Sequence, residues 1–466
     1  MKMWGGRFRQ PLDPEFERWQ RSFPFDRRLI HEELAASRAH ARDLAAAGVL
    51  SQAELDLMLC GLEQIGQQSA SPEFLQDKEA EDIHHFVEKQ LVAIIGEVGY
   101  KLHSGRSRNE QIATDLRLYV RRSIDDLQRG LGELLEALVA RAEKSGAAAM
   151  PSYTHLQPAE PVLVGHWLLA YVEMFFRDCG RLADCRRRLN QCPVGSGAVA
   201  GTTLPLDRRA MAAELEFDQP TANSLDATSD RDFAIEFVHI LALLAVHLSR
   251  LAEEMVLFST REFGFVRLPE AFSTGSSAMP QKQNPDGMEL IRGKAARVIG
   301  DATSLLAAVK GLPLAYKKDL QETQEPVFSA AETMQAVVSL AARFMFAVEF
   351  DYERMHAAAC SGFMNAAAAA QYLVGRGVPF RQAHEQIGRA VQWCIENHCE
   401  LADMPLDEVR RFAPEADQDF YSHLTLDAVL ACHDVKGGTA PARVRQALAA
   451  ARERLAALRG EMHAHA

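Results

Sequence analysis

No two cysteines in this chain are spaced as C-x-x-C, and the eight that occur are scattered through 466 residues. That leaves no disulfide framework or zinc ribbon to organise the fold, and free thiols in a reducing compartment are expected. Cys394, His398 and Cys399 fall close together on one expected helix, but no second ligand pair accompanies them, so no metal site is assigned. No apolar run is long enough to span a bilayer; the best candidate, Ile240–Val246, lies between His239 and His247. The opening MKMWGGRFRQ lacks the apolar core of a secretory signal. Positive charge is not in excess either. A net charge of −12 argues against a nucleic-acid partner, because phosphate binding needs a basic surface. These absences point to a cytoplasmic protein with a small-molecule substrate, neither membrane-bound nor nucleic-acid-bound. The substrate can still be anionic, since local clusters of Arg and Lys override the global sign.

Strand-like alternation is equally hard to find, and no segment repeats. Helical periodicity dominates, in a chain whose 48% apolar and 24% charged residues are ordinary for a globular protein. Residues 28–47 and 51–66 read as amphipathic helices, with Gly48 closing the first and Ser51 capping the second. A helix over about 79–98 follows. Five long helical segments are then expected at roughly 109–142, 161–190, 231–259, 286–311 and 323–349. The second and third, with Trp167, Tyr171 and Phe175, and Phe233, Phe237 and Leu241, are apolar in most directions. A helix that is apolar all round must be buried all round. Several such helices suggest a bundle shared between subunits. Beyond Tyr352 shorter helices, one of them alanine-rich at Ala366–Ala370, are broken at Gly375, Gly377, Pro379, Pro405 and Gly437–Gly438. The fold class is therefore all-α, in three helical domains at 1–105, 106–354 and 355–466. The central long-helix bundle is expected to assemble into the multi-helix core of a homo-oligomer.

Three polar segments between these helices invite chemistry. His103-Ser104-Gly105-Arg106-Ser107-Arg108-Asn109-Glu110-Gln111 gathers arginines, hydroxyls and an amide at a helix N-terminus, which suits a carboxylate. It also reads as a plain solvated cap, with Ser107 or Asn109 as the capping residue. Ser152-Tyr153-Thr154-His155-Leu156-Gln157 places a histidine in the turn before a helix that Pro161 would start. Such a histidine serves as acid or base, or simply as structure. The third, Ser273 to Glu289, is a loop rich in hydroxyls that carries Lys282 and runs into a helix. A helix start at Asp286 and Glu289 explains part of it but leaves the Ser-Ser, Lys and Asn spacing unexplained.

Gly275-Ser276-Ser277-Ala278-Met279-Pro280-Gln281-Lys282-Gln283-Asn284 resembles the G-S-S-x-M-P-x-K-x-N signature of the fumarase, aspartase and δ-crystallin superfamily. The wider text is similar to the argininosuccinate lyase family in particular. Met3–Phe8, Glu81–His84, Gly105–Gln111, Tyr153–Gln157, Asn223–Asp226 with Ser229–Asp232, and Gly311–Tyr316 all fit. The resemblance covers nearly the whole chain and weakens only in the last domain.

What the resemblance implies is a cofactor-free anti elimination from an N-substituted aspartate, releasing fumarate. Ser276 and His155 would divide the roles of base and acid, in an order the residues leave open. Lys282 would stabilise the carbanion, and Glu289 would pair with His155. Asn284 would add a donor beside Lys282, while Ser107, Asn109 and Thr154 would hold the succinyl carboxylates; Arg106 and Arg108 stand in the carboxylate site read from their own segment. Ser22, Asp26, Tyr316 and Gln321 would line the amine side, with Gln324 beside them. The three segments would come from three subunits of a homotetramer. This chain departs from the family at Thr323 and Gln324, where an acidic residue and a substrate-contacting lysine are usual, and at Pro158, Glu160 and Gln283. These departures bear on substrate choice. A sister carbon–nitrogen lyase and a non-catalytic δ-crystallin-like homologue therefore stand beside the first reading.

Overall fold

The protein is described by a computed structural model over residues 10–464, and the Met3–Phe8 motif lies outside them. Helix α1 (Ile30–Ala46) stops where Gly48 turns left-handed at φ 76°. Helix α2 (Gln52–Gln68) opens on a reciprocal cap between Ser51 and Glu54. Helix α3 (Ile83–Ile95) starts at Asp82, whose carboxylate accepts the His85 N–H at 2.8 Å. The five long helices are α4 (Arg108–Ser145), α5 (Val164–Leu189), α6 (Asp232–Phe258), α7 (Asp286–Val309) and α8 (Gln324–Ala347). Each falls within a few residues of its expected span, because a long run of helix formers with interior-facing apolar groups leaves little else to form. Shorter helices follow, among them α9 (Ala366–Gly375), α10 (Phe380–Asn397) and the terminal α11 (Pro441–Ala464). Left-handed His398 stops α10, and the Cys399 N–H bonds the Cys394 carbonyl at 3.1 Å, so this Cys-His-Cys group forms a helix stop.

Two compact units divide the chain. One holds the residues up to Leu127, Gly180–Leu243 and Ala296–Gln335; the other holds Gln128–Cys179, Leu244–Ala295 and everything from Ala336 on. Each long helix contributes residues to both. In the first unit Ala39, Leu118, Val194, Met211 and Phe217 belong to one buried cluster. In the second, Leu373, Ile387, Leu401 and Phe420 form another around α9 and α10.

Two findings depart from the sequence reading. Between α4 and α5 lies an antiparallel hairpin, β1 (Ala149–Thr154) and β2 (Gln157–Leu163), so Pro161 sits in a strand and the helix begins at Val164. Pro151 pairs with Pro161 and Tyr153 with Pro158. Proline inside a run argues against a central strand, but an edge strand tolerates it, and both strands of a hairpin are edges. The second departure is α6, which by length and composition is apolar enough to cross a membrane. Half of its most apolar stretch is buried inside the protein. Its His247 meets the fully buried Asp178 at 2.7 Å, and its Glu254 accepts from Trp167 and Tyr171, as a core helix would arrange them.

Candidate active site

The segment from His103 to Gln111 contains no apolar side chain, so apolar burial cannot hold it in place. Polar anchors do so instead. His40 donates from Nε2 to the Ser104 carbonyl at 2.9 Å, and burial beside Arg106 holds that imidazole neutral, its pKa down to about 3. Gly105 is left-handed at φ 73° and faces Leu204 and Thr202. Ser107 and Glu110 close the N-terminus of α4: the Ser107 N–H bonds Glu110 Oε1 at 2.9 Å, and Ser107 Oγ accepts the Asn109 N–H at 3.3 Å. The other Glu110 oxygen accepts the Gly197 N–H at 2.8 Å, and Asn109 donates to the Ala198 carbonyl at 3.3 Å. The two expected carboxylate-binding arginines are placed differently. Arg106 turns inward, its side chain only 6% exposed, and donates to Ser37 Oγ at 2.9 Å. Arg108 bridges Glu81 at 3.2 Å and Asp82 at 3.0 Å. Ser107 and Asn109 are half-buried.

The expected amine-side residues gather around that Asp82–Arg108 pair. Ser22 and Asp26 are buried, and the Ser22 N–H bonds the Glu81 carbonyl at 3.0 Å. Burial and then the neighbouring Asp82 push the Asp26 carboxyl up to about 7, although the Ser22 hydroxyl donates to it. Tyr316 lies within electrostatic reach of Arg231, Asp82 and Arg108, and burial raises its phenol. Gln321 donates to the Gln20 carbonyl at 3.2 Å, which ties residues three hundred positions apart. Thr323 and Gln324 are interior, at 0% and 1% exposed, and the Gln324 side-chain oxygen Oε1 has no hydrogen-bond partner among the described residues. Asp82 and Arg231 also belong to this charged cluster, beyond the residues the resemblance implies. Their signal was their place within the quoted Glu81–His84 and Ser229–Asp232 segments.

The remaining expected residues lie in the second unit. Thr154 and His155 are exposed at the hairpin tip, where His155 (φ 55°) and Leu156 (φ 58°) are both left-handed. A two-residue turn of that kind favours Asn-Gly, so His-Leu there is held under backbone strain, a condition that concentrates at functional sites. A cleft of about 650 Å³ beside it is lined by Tyr153, His155, Trp167, Tyr171 and Phe258. The signature loop is closed by a small ladder, β3 (Thr274–Gly275) and β4 (Gln283–Asn284), with Thr274 opposite Asn284. At its tip the N–H groups of Ala278 and Met279 donate to Ser276 Oγ at 3.3 and 3.2 Å. Two donors converging on one oxygen favour its anion. Lys282 is exposed, Asn284 is half-buried and its amide faces Gly275 and Thr274. Glu289 lies 3.8 Å from Arg292 on its own helix, and among the described residues no hydrogen bond joins it to His155.

Glu33, His84 and Asp115 bring three potential metal-ligand atoms within 4.8 Å of one another, all buried. The guanidinium of Arg106 stands 3.6 Å from Glu33, so protein cations already face these carboxyls.

Residues 6–300 match the lyase family and residues 363–431 the argininosuccinate lyase C-terminal family. The chain is 59% identical over 466 residues to an argininosuccinate lyase of Koribacter versatilis, covering 100% of each. It is 57% identical over 460 residues to one of Acidobacterium capsulatum, covering 97% of this chain and 95% of that one. Among solved structures it is similar to an EDDS lyase variant with bound fumarate, at 26% identity and a TM-score of 0.85, over 98% of this chain and 92% of that one. A 3-carboxy-cis,cis-muconate lactonizing enzyme from Pseudomonas putida shares the fold, at 22% identity and a TM-score of 0.74, over 94% and 97%. The match runs through the last domain too, where the motifs alone are weakest.

Proposed function

The chain belongs to the argininosuccinate lyase family, and from that premise we propose how its own residues release fumarate. The protein is a carbon–nitrogen lyase that eliminates L-arginine from argininosuccinate and leaves fumarate, a step of arginine biosynthesis. The weak acidity of the Cβ proton is the obstacle, so charge that appears on the way to the carbanion must be stabilised. Ser276 takes that proton as the alkoxide. An alcohol is a poor base unless its anion is stabilised, and the N–H groups of Ala278 and Met279 aimed at its Oγ supply that stabilisation. This contact is the observation that carries the assignment of base to Ser276 and acid to His155. The electron pair left on Cβ spreads into the adjacent carboxylate, near Lys282 and Asn284. It then forms the carbon–carbon double bond as the Cα–N bond breaks, and His155 protonates the departing nitrogen. Glu289 from another copy of the chain tunes His155. Ser107, Asn109 and Thr154 hold the carboxylates, while Ser22, Asp26, Tyr316 and Gln321 face the arginine portion, with Gln324 behind them.

The site is shared among three subunits of a cytoplasmic homotetramer. Large apolar side chains exposed along the long helices support that assembly: Val246 on α6, Leu290, Ile299 and Leu306 on α7, and Phe346 on α8. The test follows fumarate absorbance with argininosuccinate as substrate. Ser276→Ala and His155→Asn are each expected to lower turnover at least ~10²-fold with the fold retained, the scale of a lost proton-transfer group. Near-parental turnover in either variant would remove that residue from the mechanism.

A further inference from the structure

Beneath the Ser104–Asn109 loop lies a buried polar cluster that the reaction leaves unused. At its centre is Glu33, 0% exposed, on the first turn of α1. One of its oxygens accepts from Ser37 Oγ at 2.7 Å and stands 3.6 Å from the Arg106 guanidinium. The other meets His84 Nδ1 at 2.9 Å. Gln111 reaches both oxygens, at 3.3 and 3.4 Å. Burial alone would raise this carboxyl, but His84 and Arg106 overcome it and hold Glu33 ionised, down to about 2. Asp115, also at 0% exposure, is pushed the other way by burial and by the neighbouring Glu33, which holds its carboxyl well above the usual carboxylate range. One carboxylate therefore joins three separate stretches of chain: α1, the start of α3 and the loop with the first turns of α4.

We infer that Glu33 is a positioning residue for substrate binding: through Arg106 it fixes the loop from below and so sets the aim of Ser107 and Asn109. The inference rests on the proposed carboxylate-binding role of those two residues. The loop has no apolar side chain to bury, and Arg106 is the more deeply buried of its two arginines, at 6% exposed against 19% for Arg108. A buried guanidinium needs an ionised partner, because desolvating it unpaired costs several kcal/mol. Ser37 bridges the two through its hydroxyl, and Glu33 is the carboxylate in ion-pair contact with the guanidinium, with Glu88 and Glu110 acting on it from farther off. Arg108, two residues on, is held independently by Glu81 and Asp82. The Glu33–Arg106 contact therefore governs the stretch on the N-terminal side of Ser107.

The test uses the full-length enzyme and reads KM and kcat for argininosuccinate together with inhibition by fumarate. Ser107 and Asn109 hold carboxylates in ground state and transition state alike. Losing their aim is therefore expected to raise KM and the fumarate inhibition constant ~10-fold or more, with a smaller change in kcat. Glu33→Gln is expected to show that split. Arg106→Gln is expected to show the same split, and the double variant no more than the worse single one, because both act through one contact. Additive losses, or a fall in kcat with KM and fumarate inhibition unchanged, would overturn the inference. Should Glu33→Gln fail to fold, Ser37→Ala removes only the bridging hydroxyl and is expected to raise KM by a few-fold; an unchanged KM there sinks the idea equally. Ser107→Ala separates the two readings. If it leaves fumarate inhibition untouched, the carboxylate assignment itself is wrong. If it weakens inhibition while Glu33→Gln does not, only the role of Glu33 falls.

Discussion

The Asp26 carboxyl titrates near 3.8 in an unfolded chain and at about 7 in the folded protein, where burial and Asp82 oppose its ionisation. Between those values the native state keeps a proton that the unfolded state has released. Stability must then fall as pH rises, by at most about 1.4 kcal/mol per pH unit from this group, and level off above about 7. Asp26→Asn abolishes that slope. Chemical denaturation at several pH values should show the variant gaining on the parent from pH 4 to 7 and holding a constant lead beyond; a gap independent of pH would refute the buried-acid account. The departures at Thr323 and Gln324 also belong to this scale. Both are interior, and the Thr323 hydroxyl donates to the Leu320 carbonyl at 2.6 Å, within the turn that leads into α8. Their first consequence is for that turn, and they leave the chain inside its family.

The loop over residues 103–109 depends on a close approach at Gly105. A Cβ there would meet Leu204 Cδ1 at 2.6 Å and Thr202 Oγ1 at 3.0 Å, from a left-handed backbone that favours glycine. Gly105→Ala is expected to cost ~1–2 kcal/mol of stability and to raise KM for argininosuccinate. Thermal unfolding and steady-state kinetics check both, and a variant with parental Tm and KM would show that the contact is slack. Two of the long helices were legible because apolarity in most directions over more than twenty residues permits few alternatives, and the others by their long helical periodicity. The hairpin was not, because Pro151, Pro158 and Pro161 read as breakers in a local window, and only the pairing partner shows that they are tolerated. The signature loop was legible by spacing, yet the two N–H groups on Ser276 Oγ come from backbone geometry that no residue type announces. Arg106 and Arg108 look equivalent in sequence, and the fold alone turns one inward. Glu33 reads as an ordinary acidic residue in the first turn of a helix, where solvent is the usual neighbour.

For the whole molecule, the proposal that three chains build each site has a consequence that mixing can test. Ser276→Ala and His155→Asn tetramers, each inactive, are expected to recover partial activity after reversible dissociation and reassociation. Some mixed sites then draw neither lesion. Native mass spectrometry establishes that subunits exchanged, and exchange without recovery would mean that both residues act from one chain. Association on this scale also has to stop. A strand ladder in a helical protein offers backbone donors to any passing chain, and growth by strand addition has no natural limit. The hairpin gives little to such growth. Pro158 and Pro161 carry no N–H, the Glu160 N–H is taken by Ser152 Oγ at 3.3 Å, and the Leu163 N–H by Thr439 Oγ1 at 2.8 Å. The prolines that hide this hairpin from a sequence reader also hide it from neighbouring molecules, so a crowded cell meets a ladder with few open rungs. Replacing Pro158 and Pro161 by threonine would open two of them, and aggregation at high protein concentration would report the loss.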